Sequence, residues 1–223
     1  IFLKTLFIVF NLLAIFLGFY LAKLSGAIIM GWLILAIIFM LWLYSSRYKK
    51  QILIGNIIVA FLSGFVIVIV WLFVFFSYKS IYGNSVEYFN TIVTINRLVF
   101  FYALLAFFLS FIREIVKDIE DLPGDEKYNC TTLASVIGMK QSKLIVSLLM
   151  SAFVLSLLAV QYHYFDIYRV LSIYFIFAIQ VPMIYLIYKL ILSKTKKDFH
   201  NVSTFIKVIM FFGVLSMIFL NPD

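Results

Sequence analysis

The sequence predicts an all-α, polytopic transmembrane helical bundle, and three observations carry that prediction. Of the 223 residues, 65% are hydrophobic, well above the roughly 45–50% apolar share of a soluble domain. Only 13% are charged and mean hydropathy is +1.12, so lipid must act as part of the solvent. The apolar residues fall in long continuous runs rather than alternating segments of about ten, which suits membrane helices and excludes a β-barrel.

Seven runs are close to the roughly 20 residues needed to cross the hydrocarbon. They lie at about Phe2–Ala22, Gly26–Tyr44, Ile52–Phe76, Ile92–Ile112, Leu144–Gln161, Val170–Leu192 and Thr204–Leu220. Ser25-Gly26 breaks the first run from the second. The third is long enough to tilt or to end in the interface, and Gly55, Ser63 and Gly64 let it pack closely. Gly83-Asn84 turns the chain toward the fourth, where Arg97 snorkels near the outer end. Pro123-Gly124 separates the fourth from the fifth. His163 falls in an outer loop beside Tyr162 and Tyr164, and Pro182 should kink the sixth run. His200 falls in a basic inner loop before the seventh. Neither histidine sits in a metal-ligand pattern. With no internal repeat and no linker, residues 1–223 read as a single domain.

The net charge of +8 has a membrane explanation and does not call for nucleic acid. Counting Lys and Arg on alternate sides of the seven runs puts fourteen on one side and four (Lys23, Lys79, Arg97, Arg169) on the other. The richer side should face the cytoplasm. The run Lys194-Thr195-Lys196-Lys197 is a positive-inside anchor able to touch anionic lipid. Cys130 is the single cysteine, which excludes an internal disulfide. Ile1 already lies in an apolar run, with no initiator Met and no signal-peptide pattern, and the expectation is a chain truncated at its N-terminal side.

The one chemical anomaly is Arg113 to Lys127, REIVKDIEDLPGDEK. Ten residues of the chain are Asp or Glu, and six of them lie between Glu114 and Glu126. On a helix, Glu114, Asp118, Asp121 and Asp125 fall within about 60° of one another. Pro123 disfavours helical geometry at Leu122, so the helix is expected to end before Asp125, which would reach the stripe from the following turn. Clustered carboxylates call for a positive partner; Mg²⁺ typically takes one or two carboxylates plus substrate phosphates. Arg113, Lys117 and Lys127 suit a phosphate. Asn56, in the first turn of the third run, either helps hold a substrate or caps a neighbouring helix. The plainer reading is a solvated, charge-balanced cytoplasmic loop.

Asp118-x-x-Asp121-x-x-x-Asp125, followed by Lys127 and Thr132-Leu133, resembles the second aspartate-rich motif of the UbiA superfamily of intramembrane prenyltransferases. Tyr44-Ser45, Lys49 and Gly55-Asn56 upstream are similar to that family too, and REIVKDIED most resembles the branch that includes digeranylgeranylglyceryl phosphate synthases. The resemblance runs through the chain in span order. It implies nine helices around a cavity, with two aspartate-rich motifs at the cytoplasmic end that hold a prenyl diphosphate through Mg²⁺. In the family the second motif follows the sixth helix; here it follows the fourth, so the first two helices and the first motif are expected to be lacking. Outside the cluster the acids are Glu87, Asp166, Asp198 and Asp223, too scattered to make a second motif.

Carried over by position, Asp121 and Asp125 match the constant pair and Asp118 the additional member. Lys127 matches a basic position near the diphosphate, and Tyr44 and Lys49 match positions near the same pocket. Asn129, Thr131 and Ala134 depart from the family pattern around Thr-Leu-Pro. The implied reaction is Mg²⁺-assisted ionisation of an allylic diphosphate and attack by a hydroxyl or aromatic carbon of a lipid or aromatic acceptor, in a water-excluding cavity. The implied setting is a bacterial or archaeal-type plasma membrane with the site facing the cytoplasm, and this chain alone is expected to be inactive. A transporter is one competing class, although its ionisable residues would sit near the bilayer midplane, where these runs carry almost none. A non-catalytic membrane scaffold is the other.

Overall fold

The computed structural model describes residues 2–48, 51–82, 86–127 and 130–220, and among these every regular element is helical. The helices are α1 (Phe2–Leu24), α2 (Ile29–Ser46), α3 (Ile54–Tyr82), α4 (Val86–Lys127), α5 (Leu133–Tyr164), α6 (Arg169–Phe175), α7 (Val181–Leu192) and α8 (Lys196–Leu215). A π-helical turn, Ile176–Gln180, joins α6 to α7, and a 3₁₀ turn, Ser216–Phe219, follows α8. Seven of the resulting rods are long and apolar enough to cross a membrane. The chain is a polytopic membrane protein of the predicted class.

Two compact units form, the first from Ile1–Lys49 with Phe61–Phe107 and the second from Lys50–Ala60 with Phe108–Asp223. In the first, α1 and α2 make a hairpin about Ser25-Gly26. Gly26 takes φ 69, and the Ser25 hydroxyl donates to the Ala22 carbonyl at 3.2 Å. Ala22, Ala27 and Met30 are buried there against Leu33, Ile69, Leu72, Phe73 and Phe76. Lipid tails are as apolar as these side chains, so close van der Waals approach and hydrogen bonds replace the hydrophobic effect as the glue. Gly64 illustrates the first: a Cβ there would come within 2.5 Å of the Ala103 carbonyl oxygen. The Trp71 indole illustrates the second, donating to the Asn96 side-chain oxygen at 2.6 Å.

In the second unit Val146, Met150, Ile179, Met183, Leu190 and Ile206 are fully buried. A polar relay crosses this core. Gln180 Nε2 donates to Gln161 Oε1 at 2.9 Å, and Gln161 Nε2 donates to the Ser172 carbonyl at 3.2 Å, so two buried amides satisfy each other where no water enters. The expected disturbance from Pro182 takes the form of the π turn just ahead of it. Proline has no N–H and its ring crowds the carbonyl four residues back; here α7 restarts with Pro182 in its first turn.

Several boundaries differ from the expectation. Helix α4 runs through Pro123 to Lys127 rather than ending before Asp125. The proline removes one donor and only disfavours helix at the residue before it, and it is exposed, near Gly124 where space is open. Helix α5 starts at Leu133 and ends at Tyr164, so His163 is in its last turn and not in a loop. Helix α8 starts at Lys196, eight residues before the predicted run, because Thr195 and Asp198 form a capping box that satisfies first-turn amides. His200 and two of the three lysines of the basic run are therefore helical. The Gly83-Asn84 turn lies outside the described residues.

Helix α5 bends at Gly138, which has φ 80 and ψ 163, a conformation essentially closed to residues with a Cβ. No atom lies within 4 Å of the position a Cβ would take, so the requirement is one of backbone alone. Gly138→Ala should therefore destabilise the protein by about 1–3 kcal/mol, read as a lower melting temperature in detergent. Gly124→Ala, in a helix and with open space, should leave the melting temperature equal or raised.

Candidate functional site

The C-terminal part of α4 is rotated by its own apolar residues. Ile112, Ile115, Val116 and Ile119 are each at most 1% exposed, and their spacing makes one stripe that packs into the second unit. At 100° per residue the stripe of Glu114, Asp118, Asp121 and Asp125 lies roughly on the opposite face. Burial of the isoleucines thus aims the carboxylates. Because the helix continues to Lys127, Asp125 belongs to the stripe itself, and the Cys130 amide donates to the Asp125 carbonyl at 2.9 Å.

Asp118 is the centre of this face. Its carboxylate is part-buried and lies within electrostatic reach of Asp125, Glu114 and Asp121. Against that repulsion it accepts one side-chain hydrogen bond, from Asn56 Nδ2 to Oδ2 at 2.7 Å. Asn56 is 9% exposed and sits in the first turn of α3. A tight turn delivers it: the Ile54 amide donates to the Ile52 carbonyl at 2.6 Å around Leu53, whose φ is 58. A bulky residue at positive φ is strained, and such strain collects where surrounding structure holds a functional geometry. The structure gives Asn56 a contact that neither of its two sequence-derived roles named: its amide is turned onto the aspartate side chain of α4.

Two neighbouring carboxylates, Asp121 and Glu120, are engaged by α8. Asp121 Oδ1 meets Lys196 Nζ at 3.4 Å, with both side chains largely in solvent, so this pair contributes little energy. Glu120 is more enclosed. Its Oε1 is 2.9 Å from His200 Nδ1, and its Oε2 accepts from the Ser203 hydroxyl at 3.3 Å. Arg113 is paired with its neighbour Glu114, and its buried Nε has no hydrogen-bond partner among the described residues. Lys117 and Lys127 are exposed on α4. Tyr44 is a residue of the first unit, on α2, and Lys49 lies outside the described residues.

The sequence offered no signal for Lys196, His200 or Ser203 at this end of α4, since each lies 75 or more residues away in the chain. Among the described residues, no three carboxylate, imidazole or thiol groups lie close enough together to enclose a metal ion by themselves. The face still suits a hard divalent cation. Its donors are carboxylate oxygens, one of them part-buried and held by the Asn56 amide, and Mg²⁺ typically binds through one or two carboxylates plus substrate phosphates rather than a full protein cage.

A model of the UbiA prenyltransferase family matches residues 3–215. Digeranylgeranylglyceryl phosphate synthase of Methanosphaera stadtmanae is 26% identical over 206 residues, covering 92% of this chain and 66% of its own length. The enzyme of that name from Methanococcus maripaludis strain C7 is 32% identical over 203 residues, covering 90% of this chain and 64% of its own. The chain thus spans about two thirds of the length of these relatives. A solved structure from work on digeranylgeranylglyceryl phosphate synthase in membranes superposes with a TM-score of 0.56 at 25% identity, covering 96% of this chain and 67% of that one.

The Asn56–Asp118 bond is open to direct test. Asn56→Leu should cost about 1–3 kcal/mol, because it leaves a part-buried carboxylate without that donor. In an Asp118→Leu background the same change should cost much less. Strict additivity of the two substitutions in thermal unfolding would show that the bond contributes nothing.

Proposed function

Given that this chain belongs to the UbiA prenyltransferase family, we propose that it acts as a prenyltransferase domain of an integral membrane protein, moving a prenyl group from an allylic prenyl diphosphate to a lipid acceptor. The acceptor class rests on the relatives, which are named digeranylgeranylglyceryl phosphate synthases; an aromatic acceptor has no comparable support. The observation that carries the reading is the carboxylate face of α4, with Asp118 supported by Asn56. The fourteen-to-four distribution of Lys and Arg favours a cytoplasmic position for it in a plasma membrane of bacterial or archaeal type.

In this proposal Asp118, Asp121 and Asp125 would hold Mg²⁺. When bound, the ion supplies positive charge opposite the diphosphate. Asn56 keeps Asp118 oriented. Lys117, exposed beside the stripe, and Lys127, exposed at the end of α4, meet phosphate oxygens. Arg113 is already engaged by Glu114, and its part is to hold that carboxylate. The allylic C–O bond breaks with its electron pair leaving on the diphosphate. The acceptor hydroxyl oxygen then bonds to the allylic carbon and gives up its proton to an oxygen of the released diphosphate. Exclusion of water protects the allyl cation until that attack.

The test is transfer of a labelled prenyl group by the full-length gene product, with digeranylgeranylglyceryl phosphate as the product sought from a geranylgeranylglyceryl phosphate acceptor. Asp121→Asn and Asp125→Asn should each lower kcat by about 10²-fold or more, the scale seen when one charge-stabilising group is lost. Chelation should abolish turnover and Mg²⁺ restore it. Unchanged turnover in both variants would overturn the assignment. The 223 residues alone should turn over little, because their acids make one cluster and no second.

A further inference from the structure

A groove of about 500 Å³ lies between α7 and α8, away from the carboxylate face and wholly within the second unit. Leu186 and Val202 are buried in it, and Tyr185, Leu192 and Phe205 are apolar, exposed members of its lining. Lys189, Asp198, Asn201 and Thr204 supply its polar part. From Tyr185 to Leu192 the helix rises about 10 Å. An apolar slot of that depth beside the basic run of residues 194–197 is matched in length to the upper part of a lipid chain and its headgroup.

The charges decide which headgroup. Lys189 Nζ is folded back over the Tyr185 ring, 5.7 Å from its centroid, and forms no salt bridge among the described residues. Asp198 is the one acidic residue of the lining, and its Oδ2 is already engaged by the backbone amides of Lys194 and Thr195 at 3.0 and 2.9 Å. Lys197 lies one helical turn before Asn201 on the same face of α8, and Lys194 stands in the connection between the helices. The lining and its border therefore carry an excess of cations with one carboxylate turned to the backbone.

Both walls are built in advance. Lys143 of α5 reaches across to donate to the Ile191 and Ser193 carbonyls at 2.6 and 2.9 Å, holding the end of α7 and satisfying carbonyls that a helix terminus leaves open. The capping box of Thr195 and Asp198 holds the start of α8. We propose that this groove is a binding site for one anionic phospholipid of the surrounding leaflet, its phosphate between Lys189, Lys197 and Asn201 and one chain along Tyr185, Leu186 and Phe205. This site is separate from the carboxylate face and stands whether or not the protein transfers prenyl groups.

The protein is reconstituted with Trp32, Trp42 and Trp71 replaced by Phe and Phe205→Trp as reporter, and quenching is compared in vesicles of brominated dioleoylphosphatidylglycerol and brominated dioleoylphosphatidylcholine. Circular dichroism confirms that each variant is folded. The glycerol lipid should be preferred at the reporter, and Lys189→Gln and Lys197→Gln should each reduce that preference by roughly fivefold, the effect of one basic residue near an anionic surface. Lys189→Arg should retain it. Equal quenching by the two lipids, or a preference untouched by both glutamine substitutions, would overturn the proposal. Abolition of the preference by millimolar inorganic phosphate would overturn it too, by marking a site for free anion.

Discussion

Hydrocarbon does not solvate charge, and the placement of nearly every functional group in this protein follows from that constraint. Helix α4 has 42 residues and would be about 63 Å long at 1.5 Å per residue, twice the roughly 30 Å hydrocarbon thickness. Its apolar part can lie in lipid only if the acids stand beyond its ends, and all of them but Glu87 are gathered at one. Gathering them creates the next problem, mutual repulsion on one helical face. The helix meets it in two ways: a neighbouring amide, Asn56, is turned onto the part-buried Asp118, while Glu114, Glu120 and Asp121 each take a basic or imidazole partner.

The same constraint explains why α8 begins where it does. Lys196 and His200 would be poor company for lipid, yet they sit in the first two turns of a membrane helix. They are tolerable because the capping box places that start at the same level as the acidic end of α4, where Lys196 meets Asp121 and His200 meets Glu120. One exposed pair has little weight, but Glu120 is 12% exposed and is also held by Ser203. These contacts tie together segments far apart in the chain, and Asp118 holds a neutral amide, Asn56, where Glu114, Glu120 and Asp121 hold a basic or imidazole partner.

Legibility differed by residue for physical reasons. The apolar runs and the stripe of Asp118, Asp121 and Asp125 could be read directly, because hydropathy and helical periodicity are local properties of the chain. Pro123 misled: its effect on the preceding residue is a preference, and an exposed helix end accommodates it at small cost. Thr195 and Asp198 were a readable capping signal that the hydropathy boundary at Thr204 overrode. Gly138 could not be anticipated, since only the path of α5 demands a positive φ there. Asn56 was visible as a polar residue near the start of the third run, but no pattern in the chain could choose between its two roles.

By itself, the sequence determined the membrane class, the number of spans, the acidic end of α4 and the resemblance to the UbiA family. Each depends on composition or on residues a few positions apart, where helix geometry alone sets the spacing. Tertiary structure decided that Glu120 and Asp121 find their partners on α8. It also decided that Asn56 faces Asp118 and that α7 and α8 leave a cationic groove between them. Those outcomes depend on contacts across 62 to 83 residues of chain and on two helices packed side by side, and no local preference encodes such distances. The stretch from Arg113 to Lys127 is where the two meet: its sequence places the charge, and the isoleucines buried beneath it set the direction in which that charge acts.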